Sequence, residues 1–267
     1  MLASVDWHIV WDRLFHPDHV FLRALWTTVY IAVTAQVIGV VLGLVAALMR
    51  TSRFVVFRFL SGAYALVFRG TPLLVQIFFI YFGVNLLFGP GFFFGHDLIP
   101  TTANFGVFTM DGAVFAGILA LGLNEGAYMR EIIRAGIDAI DRGQMEAARS
   151  LGMTYGLAMR RIVLPQAARV IVPPLGNEFN AMLKNTSLVF TIGVYEMFAD
   201  AEIHYSTTFR PVEFFGAVAI WYLLLTGVWS VIQAQIERKL AASERGDELS
   251  FRERVMQAWM PGRLAPH

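Results

Sequence analysis

Five apolar stretches, separated by shorter polar segments, dominate the pattern of this chain. An α-helix needs about 20 apolar residues to cross a hydrocarbon core about 30 Å thick. The stretches therefore predict five transmembrane helices, at about residues 24–49, 71–88, 112–135, 170–194 and 213–236. On this pattern alone we expect an all-α membrane protein.

Two local signals refine the first half of the pattern. Gly39 and Gly43 are four residues apart in the first span, and this small-xxx-small spacing favours close packing between helices. Residues 54–69 are amphipathic and predict a helix at the membrane surface. This helix is expected to end before Pro72, which suits the first turn of the second span.

The distribution of Arg and Lys predicts the orientation of the chain. Cytoplasmic loops of membrane proteins carry an excess of these residues. Here they are concentrated between spans one and two, between spans three and four, and after span five. We therefore expect residues 1–21 outside the cytoplasm, a cytoplasmic loop at 138–166, and a cytoplasmic, partly disordered tail at 238–267.

Composition supports an integral membrane protein and excludes several other classes. Hydrophobic residues make up 57% of the chain and charged residues only 15%, far from the soluble average. The net charge of +1 gives no basis for nucleic-acid binding. The absence of cysteine excludes disulfides and thiolate chemistry. No metal site is expected, since only His16, Asp18 and His19 form even a weak candidate.

Spans three and four differ from the others because they contain charged and polar side chains. A charge in a membrane segment costs roughly 2.5–3.5 kcal/mol on insertion scales, and it usually faces a bundle interior or a water-filled cavity. We therefore predict a substrate path along these two spans. The candidate residues are Asn124, Glu125, Tyr128, Glu131, Glu178, Lys184, Asn185 and Thr186. The alternative is a structural polar network between packed helices.

Further residues in this region carry separate expectations. Arg130 and Arg134 are expected to reach lipid phosphates as interface anchors. Span four is expected to be interrupted at three places, of which Pro173-Pro174 weakens the helical hydrogen-bond ladder; the other two are Gly176-Asn177-Glu178 and Lys184-Asn185-Thr186-Ser187. Irregular backbone at membrane depth is tolerated where it lines a cavity, so an interruption there would favour the substrate path.

The polar loop between spans three and four holds a motif with fixed spacing. The motif comprises Glu146, Ala147, Ala148 and Gly152 and then, after nine further residues, Ile162-Val163-Leu164-Pro165. Gly152 permits a turn that other residues make less easily. Leu164 and Pro165 are expected to end the insert and restart a helix. A polar insert between membrane spans indicates contact with something in the cytoplasm.

This spacing is the EAA signature, and with three other stretches it makes the chain resemble the permease subunits of polar amino-acid ABC importers. The other stretches contain Arg69-Gly70-Thr71-Pro72, then Asn124-Glu125-Gly126-Ala127-Tyr128, and then the segment from Leu164 to Leu188. The resemblance covers about residues 20–237. It implies the type I importer permease fold with five spans, and a place in the bacterial cytoplasmic membrane.

The resemblance also implies partners. The EAA loop of such permeases forms a coupling helix that docks on a cytoplasmic ABC ATPase. The expected coupling residues are Glu146, Ala147, Ala148, Gly152, Leu164 and Pro165. The expected assembly adds an ATPase dimer, a second permease subunit that is identical or paralogous, and an extracytoplasmic amino-acid-binding protein. ATP and Mg²⁺ would bind the ATPase, because this chain has no G-x-x-x-x-G-K-[ST] sequence and is expected to bind no cofactor.

Two other functions are alternatives to uptake of a polar or charged amino acid. An ion-coupled secondary transporter of a small polar solute would also place charges in the membrane, but it usually has more spans and inverted repeats. An intramembrane enzyme would need a catalytic constellation, and neither G-x-S-x-G nor H-E-x-x-H occurs. We therefore expect no catalytic residue in this chain.

Overall fold

Helices make up most of the chain. A computed structural model describes residues 5–88, 102–104 and 109–259. The α-helices are α1 (Trp7–Phe15), α2 (His19–Arg50), α3 (Val55–Gly70), α4 (Leu73–Phe78), α5 (Val84–Phe88), α6 (Gly112–Asp138), α7 (Arg142–Ser150), α8 (Tyr155–Ala158), α9 (Leu164–Asn185), α10 (Met197–Thr208) and α11 (Pro211–Trp259). π-helical turns occupy Phe79–Gly83 and Met159–Val163, and a 3₁₀ helix occupies Thr186–Ile192.

The described residues form an all-helical fold, as predicted, with one short hairpin in addition. Strands β1 (Thr102–Asn104) and β2 (Thr109–Asp111) pair in antiparallel fashion between α5 and α6. Asp111 then caps α6, because its side chain accepts a hydrogen bond from the Ala113 backbone at 2.7 Å. The hairpin therefore leads directly into the third predicted span.

The pair formed by α2 and α6 is the centre of the bundle, and glycine allows its close approach. A Cβ added at Gly39 would collide with the Glu125 side chain, and one added at Gly43 would lie 2.9 Å from the Arg130 backbone nitrogen. The close packing predicted from Gly39 and Gly43 is therefore confirmed. Both contacts advance in the same direction along the two helices, so α2 and α6 run parallel.

Helix α9 returns along α6 in the opposite direction. A Cβ at Gly136, near the end of α6, would meet Ile171 near the start of α9. At the other end, Gly117 lies against Val189, just beyond α9. The central apolar cluster, which includes Ile31, Leu121, Met182 and Val189, lies between these helices and α2.

Helix α11 packs against α9, and side-chain hydrogen bonds join them. Trp229 Nε1 donates to the Gly176 carbonyl at 2.7 Å, and Gln233 Nε2 donates to the Pro173 carbonyl at 3.2 Å. Helix α11 continues to Trp259. The predicted tail therefore begins as an extension of this helix rather than as a disordered segment, and residues 260–267 lie outside the described residues.

Three described helices are long and apolar enough to cross a membrane alone, namely α2, α6 and residues Pro211–Leu240 of α11. Helices α3 and α4 with the following π-turn meet the same criteria only together, and they are bent by 109°. The bend falls at Thr71 and Pro72, where the surface helix was predicted to end and the second span to begin, and the crossing itself stays a prediction. Helix α9, predicted as span four, is not among these helices because polar side chains interrupt its apolar residues.

Of the three interruptions predicted in span four, only the one at residues 184–187 coincides with a change of helix geometry. Helix α9 continues through Pro173 and Pro174, and its α-helical geometry ends only at Asn185. Likewise, Pro165 does not restart a helix after a break, because α8, a π-turn and α9 follow one another directly. The Leu164 backbone N–H bonds to Met159, five residues back. This wider turn accommodates a proline that would otherwise clash with the preceding turn.

Candidate functional site

Helix α7, which carries most of the EAA motif, has a well-defined start and end. The Asp141 side chain accepts a hydrogen bond from the Gly143 backbone at 2.6 Å, which satisfies a free N–H of the first turn. At the other end, Gly152 N–H bonds to the Arg149 carbonyl at 3.0 Å, and Met153 N–H bonds to Ala148 at 3.1 Å. This pair of bonds is the Schellman arrangement.

Gly152 provides the conformation that this ending requires. Its φ is +81°, in the left-handed region where a Cβ is unfavourable. No atom lies within 4 Å of a Cβ built at this position, so the backbone conformation, and not crowding, accounts for the glycine. The motif glycine therefore terminates α7 and turns the chain into α8.

The predicted coupling residues do not all face outward. Glu146 and Ala147 are exposed, as are Gly152, Leu164 and Pro165. Ala148, by contrast, is 1% exposed and packs inside this chain. Sequence reasoning missed Leu151, which is 85% exposed at the end of α7. The sequence feature that could have indicated Leu151 is its apolar side chain directly before the motif glycine, in the polar loop between spans three and four.

Helices α7 and α8 with the following π-turn, residues 142–163, are called the α7–α8 unit. A groove of about 360 Å³ lies between the end of α6 and this unit. Its lining residues are Ile137, Asp138, Ile140, Asp141, Arg142, Met145, Tyr155, Met159 and Val163. The α7–α8 unit therefore contacts α6 on one side and leaves Glu146 and Leu151 exposed on the other.

The Arg69–Pro72 motif forms the bend between α3 and α4, and two amide side chains hold it. Gln76 Nε2 donates to the Phe68 carbonyl at 2.9 Å and to both oxygens of Thr71, at 2.8 and 3.0 Å. Asn124 Nδ2 donates to the same Phe68 carbonyl at 2.9 Å and to Gln76 Oε1 at 3.0 Å. Asn124 therefore has a structural task at the midpoint of α6.

Tyr128 and Glu131 lie on the same face of α6 as Asn124, one and two turns further along. The Arg69 guanidinium lies 5.5 Å from the centre of the Tyr128 ring and 3.7 Å from the Glu131 carboxylate. Arg134 also contacts Glu131, at 3.1 Å. Glu131 therefore links the bend between α3 and α4 to the C-terminal half of α6.

The expected role of Arg130 as a lipid anchor is wrong. Arg130 is 4% exposed, its Nε donates to Ser61 Oγ of α3 at 2.6 Å, and it bonds to Glu131. Ser61 Oγ in turn donates to the Ala46 carbonyl of α2 at 2.7 Å. A buried guanidinium requires such partners, and this one joins three helices.

Glu125 lies on a different face of α6 and points at α2. It is 5% exposed and accepts a hydrogen bond from Gln36 Nε2 at 2.9 Å, above the surface left by Gly39. Glu178 of α9 is half-buried and close enough to interact with it electrostatically. These contacts favour the structural polar network for Glu125. Sequence reasoning missed Gln36, whose signal was an amide in an otherwise apolar span.

Lys184 lies apart from both the Asn124 face and the Glu125 face of α6. It lines a cavity of about 550 Å³ with residues of the 3₁₀ helix, α10 and α11, namely Ser187, Phe198, Ala219, Tyr222, Leu223 and Thr226. Asn185 is half-buried, and Thr186 is fully buried with its hydroxyl donating to the Leu183 carbonyl at 2.8 Å. The polar residues of spans three and four are therefore brought to neighbouring helices but not into one cavity.

A buried carboxylate that sequence reasoning missed fixes the opposite end of the bundle. Glu196 caps α10 by accepting from the Ala199 backbone at 2.8 Å, and it also accepts from the Tyr222 hydroxyl at 2.8 Å. Thr28 of α2 donates to it at 3.4 Å. Burial raises the pKa of the Glu196 carboxyl above its ordinary value of 4.5, and these hydrogen bonds act in the opposite direction.

Comparison with known proteins identifies the family. A family model described as "Binding-protein-dependent transport system inner membrane component" matches residues 39–242, which include α6, the α7–α8 unit and α9. The chain belongs to this family. As a member of it, the chain is a permease subunit of an ABC transporter rather than an enzyme. The exposed helix α7 lies within the matched residues.

Relatives within the family align over most of their length. The "Probable amino-acid permease protein YxeN" of Bacillus subtilis is 38% identical and covers 89% of this chain and 98% of its own. The "Arginine transport system permease protein ArgU" of Corynebacterium glutamicum is 37% identical, and the match covers 97% of this chain and 82% of ArgU. The probable permease PatM of Vibrio harveyi is 41% identical, with 83% and 92% covered.

Solved permease structures have the same fold. The "Crystal structure of an amino acid ABC transporter with histidines" matches with a TM-score of 0.74 and 39% identity, over 88% of this chain and 99% of the other. An inward-facing structure of the MetNI methionine ABC transporter matches with a TM-score of 0.63, over 83% and 96%. Its identity is 16%, so it supports the fold alone.

Proposed function

We propose that this permease subunit forms half of an ATP-driven importer that moves a polar or charged amino acid into the cytoplasm. The substrate class rests on the relatives, whose names refer to amino acids, arginine or glutamine. The observation that carries the mechanism is the exposed, capped helix α7, held between the ends of α6 and α9.

Helix α7 is the proposed contact with a separate cytoplasmic ATPase. Glu146, Ala147 and Leu151 present a carboxylate, a flat surface and an apolar side chain to the partner. Gly152 sets the angle at which α7 meets α8. Ala148 supports the helix from inside, and the run through Leu164 and Pro165 transmits its displacement to α9. ATP and Mg²⁺ are bound by the ATPase dimer in this proposal.

The proposed arrangement has five crossings in the bacterial cytoplasmic membrane, with residues 1–21 outside and the tail after residue 238 inside. The parallel course of α2 and α6 and the antiparallel course of α9 and α11 are consistent with it. Arg50 at the end of α2 and the Arg-containing α7–α8 unit then lie on the same side, in agreement with the positive-inside rule. A second permease subunit and an extracytoplasmic binding protein complete the transporter.

The proposed substrate path runs along α6 and α9. Glu178 and Lys184 offer opposite charges on α9, and Lys184 lines a cavity on the side of α9 that faces α10 and α11. Tyr128 and Asn185 contribute polar contacts from the two helices. Asn124, Glu125, Glu131 and Thr186 shape the path mainly through the hydrogen bonds already described, so their substitution would change helix packing as well as substrate contacts.

Reconstitution tests this function directly. The permease, its ATPase and its binding protein are placed in proteoliposomes, and uptake of labelled arginine, glutamine and histidine is measured with ATP or with an ion gradient alone. We expect uptake only with ATP, together with ATP hydrolysis that rises when loaded binding protein is added. Uptake driven by the ion gradient alone would instead support a secondary transporter and would overturn the proposal.

A further inference from the structure

Helix α1 has three faces, and each contains side chains of a different character. Trp7, Trp11 and Phe15 are spaced four residues apart, so they form one stripe, and they are 70%, 57% and 60% exposed. Trp11 and Phe15 contact each other within this stripe, with ring centres 4.2 Å apart. Three large aromatic side chains are thus turned away from the protein.

A second face attaches α1 to the rest of the chain. Val10 is 8% exposed, and Arg13 forms an ion pair with Asp200 of α10 at 3.1 Å. The Arg13 guanidinium also contacts His204, and its backbone carbonyl accepts from Trp221 Nε1 of α11 at 3.1 Å. These bonds fix how α1 is rotated about its own axis, and therefore fix the direction in which the aromatic stripe points.

The third face is polar and exposed. His8, Asp12 and His16 follow one another at four-residue intervals, and His16 lies 3.6 Å from Asp12. This face carries no Arg or Lys, because the only Arg of α1 is turned toward Asp200. One side of the exposed surface is therefore suited to water and the adjacent side to an apolar medium.

We propose that α1 lies in the membrane–water interface with Trp7, Trp11 and Phe15 inserted between lipids. Short helices with an aromatic face and a polar face adopt this position, and Trp is enriched at the boundary between headgroups and acyl chains. The stripe continues along the chain into the exposed Leu22 and Trp26 of α2, a helix apolar enough to cross the bilayer. In the proposed arrangement lipid lies beside the start of such a helix, and this makes lipid the occupant that we propose for the aromatic stripe of α1.

The absence of a cation on the exposed faces of α1 makes the attachment hydrophobic rather than electrostatic. Anchoring should therefore be the same in zwitterionic and anionic bilayers, unlike that of basic amphipathic helices. The position of α1 in the interface is independent of the proposed function. Only the leaflet, which is the outer one, rests on the orientation given there.

Spin labelling tests the proposal, because the chain contains no cysteine that would react elsewhere. Trp11→Cys and Asp12→Cys are labelled in the purified permease subunit, which is then assembled with its partners in phosphatidylcholine nanodiscs, and each nitroxide is exposed to oxygen and to a water-soluble nickel chelate. We expect Trp11→Cys to collide more with oxygen and Asp12→Cys more with the chelate. The same contrast should persist when a third of the lipid is phosphatidylglycerol.

Two outcomes would overturn the proposal. If both labels collide mainly with the nickel chelate, α1 lies in water; if the Trp11→Cys label is shielded from both quenchers, a protein surface covers the stripe. A Trp7→Cys variant repeats the measurement should Trp11→Cys assemble poorly. Uptake by the same variants in proteoliposomes reports separately on the proposed function, and labelling of Asp12→Cys by an impermeant thiol reagent on spheroplasts reports the leaflet.

Discussion

The two ends of the bundle are held by different kinds of hydrogen bond. Helix α7 is shaped by bonds between near neighbours in sequence, such as Asp141 with Gly143 and Ala148 with Met153. Glu196, at the other end, joins Thr28 and Tyr222, which are 168 and 26 residues away. The first end can move as a unit without losing its shape, whereas movement of the second would break contacts between α2, α10 and α11.

This difference agrees with the two roles that the proposed transporter gives to the two ends of the bundle. A helix that receives force from a partner needs internal rigidity and an exposed surface, and α7 has both. The opposite end needs a fixed frame against which the path can open and close. The following predictions test the contrast, beginning with the largest expected effect.

Disruption of the exposed end should abolish transport without unfolding the protein. In the double variant Glu146→Lys/Gly152→Pro, the charge offered to the ATPase is reversed and the left-handed turn is removed, because proline fixes φ near −65°. We expect uptake in proteoliposomes to fall to the background level, with the amount of protein in the membrane unchanged.

A matched double variant on the same surface is the control. Gln144→Lys/Gly156→Ala also places a lysine on the exposed face of α7, although without removing a carboxylate, and alters a glycine that is exposed in α8 without a positive φ. It should retain most of the uptake. Equal loss in both variants, or normal uptake in the first, would rule out a specific coupling role for Glu146 and Gly152.

Removal of the buried carboxylate should destabilise the fixed end. Glu196→Ala leaves the Tyr222 hydroxyl and the Ala199 N–H without their acceptor, and an unsatisfied buried group costs about 1–3 kcal/mol. We expect a lower midpoint of thermal unfolding in detergent. Glu202→Ala on the same helix should change the stability by less than about 0.5 kcal/mol, and a similar effect of both substitutions would argue against a special role for Glu196.

The stability contributed by Glu196 should depend on pH. Burial raises its pKa in the folded state, so between 4.5 and the raised value the folded protein binds more protons than the unfolded chain. Its contribution is therefore complete below pH 4.5 and decreases as the pH rises through the raised value. Relative to Glu196→Gln, the wild-type unfolding midpoint should fall as the pH is raised from 4.5 through the raised pKa of Glu196. A difference that stays constant with pH would contradict this sign.

The smallest effect is expected for a methyl group at the motif glycine. Gly152→Ala has room for its side chain but must adopt φ +81°, which costs about 1 kcal/mol for a residue with a Cβ. Amide hydrogen exchange in α7 should become faster, while exchange in α9 stays the same. Gly156→Ala, where a Cβ also has space, should leave α7 unaffected.

Local signals in the sequence were sufficient for part of this picture. The spacing of Gly39 and Gly43 predicts the close α2–α6 contact, and Gly152 marks the turn after α7, because in both cases the reason lies within one or two turns of helix. The identity of the family rests on similarly short motifs. These features depend on neighbours in sequence, so a pattern can reveal them.

Features that depend on distant partners were missed or misjudged. Arg130 was expected at the lipid surface because its charge is visible in the sequence, but Ser61, which receives its hydrogen bond, lies 69 residues away. Pro173 was expected to break α9, but the helix continues and its carbonyl receives a hydrogen bond from Gln233, which is 60 residues away. Tertiary contacts decide such cases, and propensity alone does not include them.

The joint between α3 and α4 is held by two uncharged amides. Neither Asn124 nor Gln76 gains or loses a proton in the range that cells encounter, and salt does not screen an interaction between neutral groups. The amide contacts at the 109° bend are therefore expected to persist in acidic surroundings and at high ionic strength, where the neighbouring Arg69–Glu131 ion pair and other charge-based contacts weaken. Abrupt changes of the surrounding medium should therefore leave the angle between α3 and α4 unchanged.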